Sequence, residues 1–152
     1  AHSIEGKYKK GNQLFFSRQS ECLLPLLSLM EAQKHKTLIL WALECAQETL
    51  TAFEARCPGE PRPRNALALS RMWAQGIIKM PQARKAILEA HAVARELEDK
   101  ECIALVHAIG QAASTVHTGS HAPGLIFYEL TAVVHRTGLK NCDAPVREKI
   151  NF

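Results

Sequence analysis

The most regular apolar stripe in this chain runs through Ala83, Ile87, Ala90, Ala94 and Leu97, at alternating steps of four and three. Such spacing returns to one side of an α-helix at every turn. Arg84, Lys85, Glu89, Glu96 and Glu98 keep the other sides solvated, so the stretch predicts an amphipathic helix opening at Pro81. The same periodicity predicts a helix from Thr37 to Arg56. There Leu38, Trp41, Cys45, Thr49, Ala52 and Phe53 share a side, and Cys57-Pro58-Gly59 is a stop signal. A third helix opens after Glu60, with Pro61 and Pro63 at its start, where a missing N–H costs little. It follows Ala66, Leu69 and Trp73 to Gly76, and Ile77 or Ile78 can fold back onto its last turn. Upstream, Leu23, Leu24, Leu26, Leu27, Leu29 and Met30 give a dense apolar run behind Ser20, with Pro25 restricted to a first turn. Downstream, a helix from Gly124 to Thr137 carries Leu125, Phe127, Tyr128, Val133 and Val134, and a short one from Ala144 to Ile150 closes the chain.

The stretch from Cys102 to Tyr128 is different. It contains no Asp, Glu, Lys or Arg, although these make up 22% of the chain. Asp99 is positioned to cap it. Leu105, Ile109, Ala112, Ala113 and Val116 fall on one helical face. His107, Gln111, Ser114, Thr118 and His121 fall on the opposite one, with His117 at its edge. A helix that is apolar on one side and polar but uncharged on the other is one that neighbours pack around. Pro123 should break or kink it.

This polar seam is the first candidate for chemistry. His117 and His121 stand at i, i+4, so both imidazoles could reach one metal ion if the helix continues through Gly119. The glutamate of an HExxH motif is absent, and His91 or His135 would have to complete the shell. The alternatives are internal hydrogen bonding of the seam around the kink, or contact with a ligand or partner. His91, His107, His117 and His121 are therefore the candidate contacts, with His117 and His121 the candidate metal pair. No metal and no cofactor is assigned. Arg62 and Arg64 join the candidates. They sit at the positive end of a helix dipole, which disfavours each by roughly 0.3–1 kcal/mol, and Glu44 or Glu48 could compensate through a forked pair. Alternatively they recognise an acidic partner. Trp41 and Trp73 lie on apolar stripes and read as core.

No alternating run reaches strand length, and the reading is all-α. We expect a single domain over residues 20–152, with about six or seven helices packed as antiparallel hairpins. Residues 1–19 read as a loose N-terminal arm whose Phe15 and Phe16 tuck into the domain. Ala90-His91-Ala92-Val93-Ala94 faintly echoes Val106-His107-Ala108-Ile109-Gly110. A length of 152 residues suffices for a real core. The net charge of +4 is scattered, with one short cluster at Lys7, Lys9 and Lys10, which argues against nucleic acid. Five cysteines, an odd number without CxxC spacing, read as reduced thiols in a cytoplasmic protein. The Ile103–Val116 segment is too short and polar to span a membrane. No GxSxG elbow or phosphate-cradling glycine loop occurs, so no catalytic residue is assigned and the reading is not an enzyme.

A set of short motifs carries a family resemblance. They are Trp41-Ala42-Leu43-Glu44-Cys45-Ala46, Arg62-Pro63-Arg64-Asn65-Ala66 and Trp73-Ala74-Gln75-Gly76. Ala90-His91-Ala92-Val93-Ala94-Arg95 follows, then Ala112-Ala113-Ser114-Thr115-Val116-His117 with His121-Ala122 and Tyr128. In order and spacing the chain resembles the all-helical immunity proteins of bacterial toxin–immunity (polymorphic toxin) systems, over roughly residues 38–135. Two departures stand out. The family pattern often has Asp before the Arg-Pro pair, where this chain has Glu60 and Pro61. It usually continues the His117–His121 segment as helix, where this chain has Pro123. The resemblance implies a small cytoplasmic protein that binds and neutralises a cognate toxin through a helical surface, without catalysis and without nucleic acid or membrane. A homodimer is compatible with it. The alternative from the residues alone is a helical protein that binds a metal or small ligand in its histidine-lined seam.

Overall fold

The computed structural model describes residues 2–152. Among them lie eight α-helices: α1 (His2–Lys9), α2 (Leu24–Glu31), α3 (His35–Arg56), α4 (Arg62–Ala74), α5 (Met80–Val93), α6 (Lys100–Ser114), α7 (Ala122–Thr137) and α8 (Asp143–Asn151). Three single 3₁₀ turns separate some of them, at Glu21–Leu23, Ala94–Glu96 and Gly119–His121, and no strand occurs among the described residues. The all-α expectation holds, with more helices than the expected six or seven. The N-terminal segment supplies the extra one. Residues His2–Lys9, read from their composition as loose, form α1, where Glu5 and Lys9 pair at i, i+4. Beyond it Phe15 and Phe16 are buried with Leu23, Leu27 and Leu130.

The hub is α6. It packs against α3, α4, α5 and α7. Its start is fixed by Asp99, whose carboxylate accepts the backbone N–H groups of Glu101 and Cys102 at 2.9 and 3.2 Å. Ala104, Ala108, Gly110, Ala112 and Ala113 are all buried along it, and these small residues let neighbouring helices approach closely. The expected stack of hairpins is thus only partly right. Consecutive helices α4 and α5 do pack together, as do α6 and α7, but α3 packs chiefly on α6, its non-sequential neighbour. One apolar cluster gathers Leu50, Phe53, Leu67, Val106, Ile109 and Leu125, and a second gathers the aromatic pair Phe15 and Phe16 with Ile126, Leu130 and Val146. Trp41 packs against both.

The far end of α6 corrects the sequence reading. The helix stops at Ser114, before His117 and His121. Past it the backbone bonds tighten to i−3, from Val116 to Ala113 and from His117 to Ser114, before Thr118 N–H closes the end on Ser114 O at 3.2 Å. The Ser114 and Thr115 hydroxyls donate back to the carbonyls of Gly110 and Gln111, at 2.8 and 3.1 Å, an arrangement that weakens helix continuation. Thr118 is extended, with φ −150° and ψ 133°. Pro123 therefore kinks nothing. It sits in the first turn of α7, where proline has no N–H bond to lose.

At the end of α4 the glycine stop signal holds. Gly76 has φ +76°, and Ile77 N–H reaches Met72 O at 2.9 Å while Gly76 N–H reaches Trp73 O at 2.9 Å. This is a Schellman closure. Of the two isoleucines expected to fold back, Ile77 stays out at 62% exposure, while Ile78 is half-buried.

Candidate functional site

The seam begins where α5 meets α6. His91 lies against α6 at Gly110, so close that a Cβ there would fall 2.4 Å from His91 Cε1 and Nε2. One turn away, His91 Nδ1 and His107 Nδ1 stand 2.9 Å apart. The two histidines of the faint sequence echo thus meet each other across a helix pair. His107 Nε2 is 3.2 Å from Gln13 Nε2. With that amide donating, the His107 proton sits on Nδ1 and donates to His91 Nδ1. The His107 ring also packs on Tyr128 of α7, centroids 4.9 Å apart.

The seam continues beyond α6. His121 Nδ1 donates to Gln111 Oε1 at 3.0 Å. Gln111 itself presses on the start of α7, since a Cβ on Gly124 would lie 2.6 Å from its Oε1. His117 turns the other way and stacks on Trp73 of α4, centroids 5.9 Å apart and planes 23° apart. The helical i, i+4 geometry that would aim His117 and His121 at one ion is not realised, because the helix ends before both. No group of three or more His, Cys, Asp or Glu is placed to hold a metal among the described residues.

Burial shapes the electrostatics. It pushes the His107 imidazole down to about 4, with the nearby His91 adding to the effect. His91 is lowered by burial and by His121, and His121 by burial and by His117. These three rings are neutral hydrogen-bonding groups at neutral pH, and none hydrogen-bonds a carboxylate among the described residues. That arrangement positions helices. It does not resemble a base oriented by a carboxylate.

His91, His117 and His121 do come together around one cleft of about 360 Å³, with Trp73, Met80, Arg84, Ile87, Leu88 and Ser114. His107 lies outside this lining. Sequence reading placed Trp73 in the core. It is instead half-buried, stacked on His117 and facing the cleft. No sequence signal marked Arg84 and Leu88, which belong to α5's solvent side until the cleft makes them a wall.

Arg62 and Arg64 lie apart from the seam. Arg62 forms a fork on Glu60, with Nε at 2.7 Å and Nη2 at 2.8 Å, and also pairs with Glu96. Arg64 holds Glu54 at the end of α3. The forked compensation expected from sequence exists, but the partners are Glu60, Glu96 and Glu54 and not Glu44 or Glu48. Those guanidinium groups hold Glu54, Glu60 and Glu96 below the usual carboxylate range. Two further groupings were invisible in the sequence. Cys57 and Cys102 bring their sulfurs to 3.5 Å, and Glu129 is buried beside Thr49 and Lys149, its carboxyl raised by burial.

A family model described as "Imm-5 like putative immunity protein" matches residues 28–151. The chain belongs to that family. The match runs from α2 to the last residues of α8 and takes in every seam residue except Gln13. Among curated proteins and among solved structures nothing matches. No helix of the described residues is long and apolar enough to cross a membrane.

Proposed function

We propose that this protein protects a bacterial cell by binding a cognate protein toxin in the cytoplasm and blocking it, with no chemistry of its own. The observation that carries this reading is the family match over residues 28–151. The site geometry is consistent with it. His91, His107 and His121 are neutral and committed to contacts with Gln13, Gln111 and one another, so they act as cement between helices. What the fold offers outward is a surface carried on a rigid helical frame, which suits tight, stoichiometric capture of another protein.

The test is co-expression with the toxin-like genes that neighbour its own. Survival should depend on this protein only when the cognate toxin is present, and the two should co-purify. If no neighbouring gene product is toxic without it or is retained by it, the reading fails.

A further inference from the structure

Exposed apolar side chains are ordinary on a protein surface when scattered singly. Here several gather around the last turn of α4. Trp73 faces the cleft of about 360 Å³ described above, whose walls include Met80 and Leu88. Arg71, Ala74 and Gln75 of the same turn face a second cleft of about 430 Å³, walled by Ile39, Leu40 and Leu43 of α3. Leu40 is 61% exposed and Leu88 57% exposed. Between the two clefts the chain leaves α4 through Gly76, and Ile77 is held out in solvent instead of closing over the helix end.

The charges around this apolar ground are mostly positive. Lys36 and Arg71 line the second cleft and Arg84 the first, while Lys79 stands in the turn between α4 and α5. None of these four takes part in an ion pair among the described residues, whereas Arg56, Arg62 and Arg64 are all paired with carboxylates. Among the described residues Glu44 is the single carboxylate lining either cleft. Arg71 spends one nitrogen on Leu43 O and Gln47 Oε1, at 3.2 and 3.3 Å, and its buried Nε has no partner among the described residues. The N-terminus of α5 opens here too, with no acidic residue in its first turn. Its dipole adds positive potential to the same place.

Resting on the immunity reading above, we propose that this two-cleft face is where the toxin docks, through an acidic segment carrying apolar side chains. The chemistry of both halves is specified. Carboxylates of the segment meet Lys36, Lys79 and Arg84. Its apolar side chains enter the clefts beside Leu40 and Leu88, against the indole of Trp73, on which the exposed His117 ring stacks. A half-buried tryptophan beside the exposed Leu88 and the unpaired Arg84 has the make-up of an interface anchor, and an excess of positive charge steers an oppositely charged partner. A nucleic acid would match the cations but leave Leu40, Ile77 and Leu88 unused.

The experiment measures toxin affinity for the full chain and for Leu88→Asp, Arg84→Glu and Lys36→Glu, with melting temperature recorded for each. All three positions are exposed, so folding should be kept. Each variant should weaken binding by roughly thirtyfold at unchanged melting temperature. Arg84→Glu should also flatten the fall of affinity with salt. Leu29→Asp on α2, equally exposed, should bind as the parent does. If the parent binds toxin and the three variants bind as tightly, the docking face is wrong and the immunity reading stands. If the parent binds no toxin, the immunity reading falls, and synthetic peptides decide the face alone. An amphipathic peptide of Glu and Leu should shift the Trp73 indole resonance. Absence of that shift, or an equal one from a Lys and Leu peptide or a DNA oligonucleotide, overturns the proposal.

Discussion

Neither His91 nor His107 can take up a proton without loss. Burial penalises the charge, and protons on both rings would set two N–H donors face to face at 2.9 Å. The His107 imidazole is pushed from its ordinary 6.5 down to about 4. Between those values the unfolded chain binds more protons than the folded one, so stability falls as pH drops through this window. His91, His121 and His135 are lowered as well and add to the same trend. Glu129 works against it, because its raised carboxyl takes a proton in the folded state first. Urea midpoints measured across this range should decline toward acid, and His107→Gln should make the decline shallower. An unchanged slope in that variant would remove His107 from the account. At this scale the sequence was informative about residue type and silent about pairing. It offered His117 and His121 as partners, and the structure joins His91 with His107 and His121 with Gln111.

At the scale of elements, the contact of α5 with α6 depends on one missing methyl group. The His91 ring occupies the space that a Cβ on Gly110 would need. Gly110→Ala should force the ring away, break its bond to His107 and destabilise the fold by about 1–3 kcal/mol. His91→Ala in the same chain should recover part of that loss, a coupling readable in a double-mutant cycle by chemical denaturation. Equal and additive effects would mean that the two residues do not meet. The glycine is visible in the sequence as an interruption of an alanine-rich helix, yet nothing there says which neighbour needs the room. Similarly, Pro123 marks a boundary in the sequence. Whether it bent one helix or opened another depended on Ser114 and Thr115, whose hydroxyls turn back on the helix just before it.

For the molecule as a whole, α6 is the element most enclosed by others, with α3, α4, α5 and α7 around it. Its amides should be the slowest to exchange with deuterium, and those of α1, which touches the rest chiefly through Ile4 and Tyr8, among the fastest. If α6 exchanges as α1 does, the hub is misplaced. The charge layout also belongs to this scale. A net +4 spread along the sequence looks neutral in purpose until folding pairs Arg56, Arg62 and Arg64 with carboxylates and leaves Lys36 and Arg71 at one cleft and Arg84 at another without them among the described residues.

The sequence by itself determined the helical class, most helix starts and stops, and the family. These follow from periodicity, caps and prolines, which act between residues a few positions apart. The Asp99 cap and the Gly76 closure were legible for that reason. Only the tertiary structure decided which histidines meet, which carboxylates hold Arg62 and Arg64, and which side of Trp73 meets solvent. Those outcomes depend on how helices distant in sequence settle around the small residues of α6, a many-body packing result that no local pattern encodes. The uncharged stretch from Cys102 to Tyr128 shows both halves. Its lack of charge marked it as the central element, and packing alone made its polar side a joint between helices.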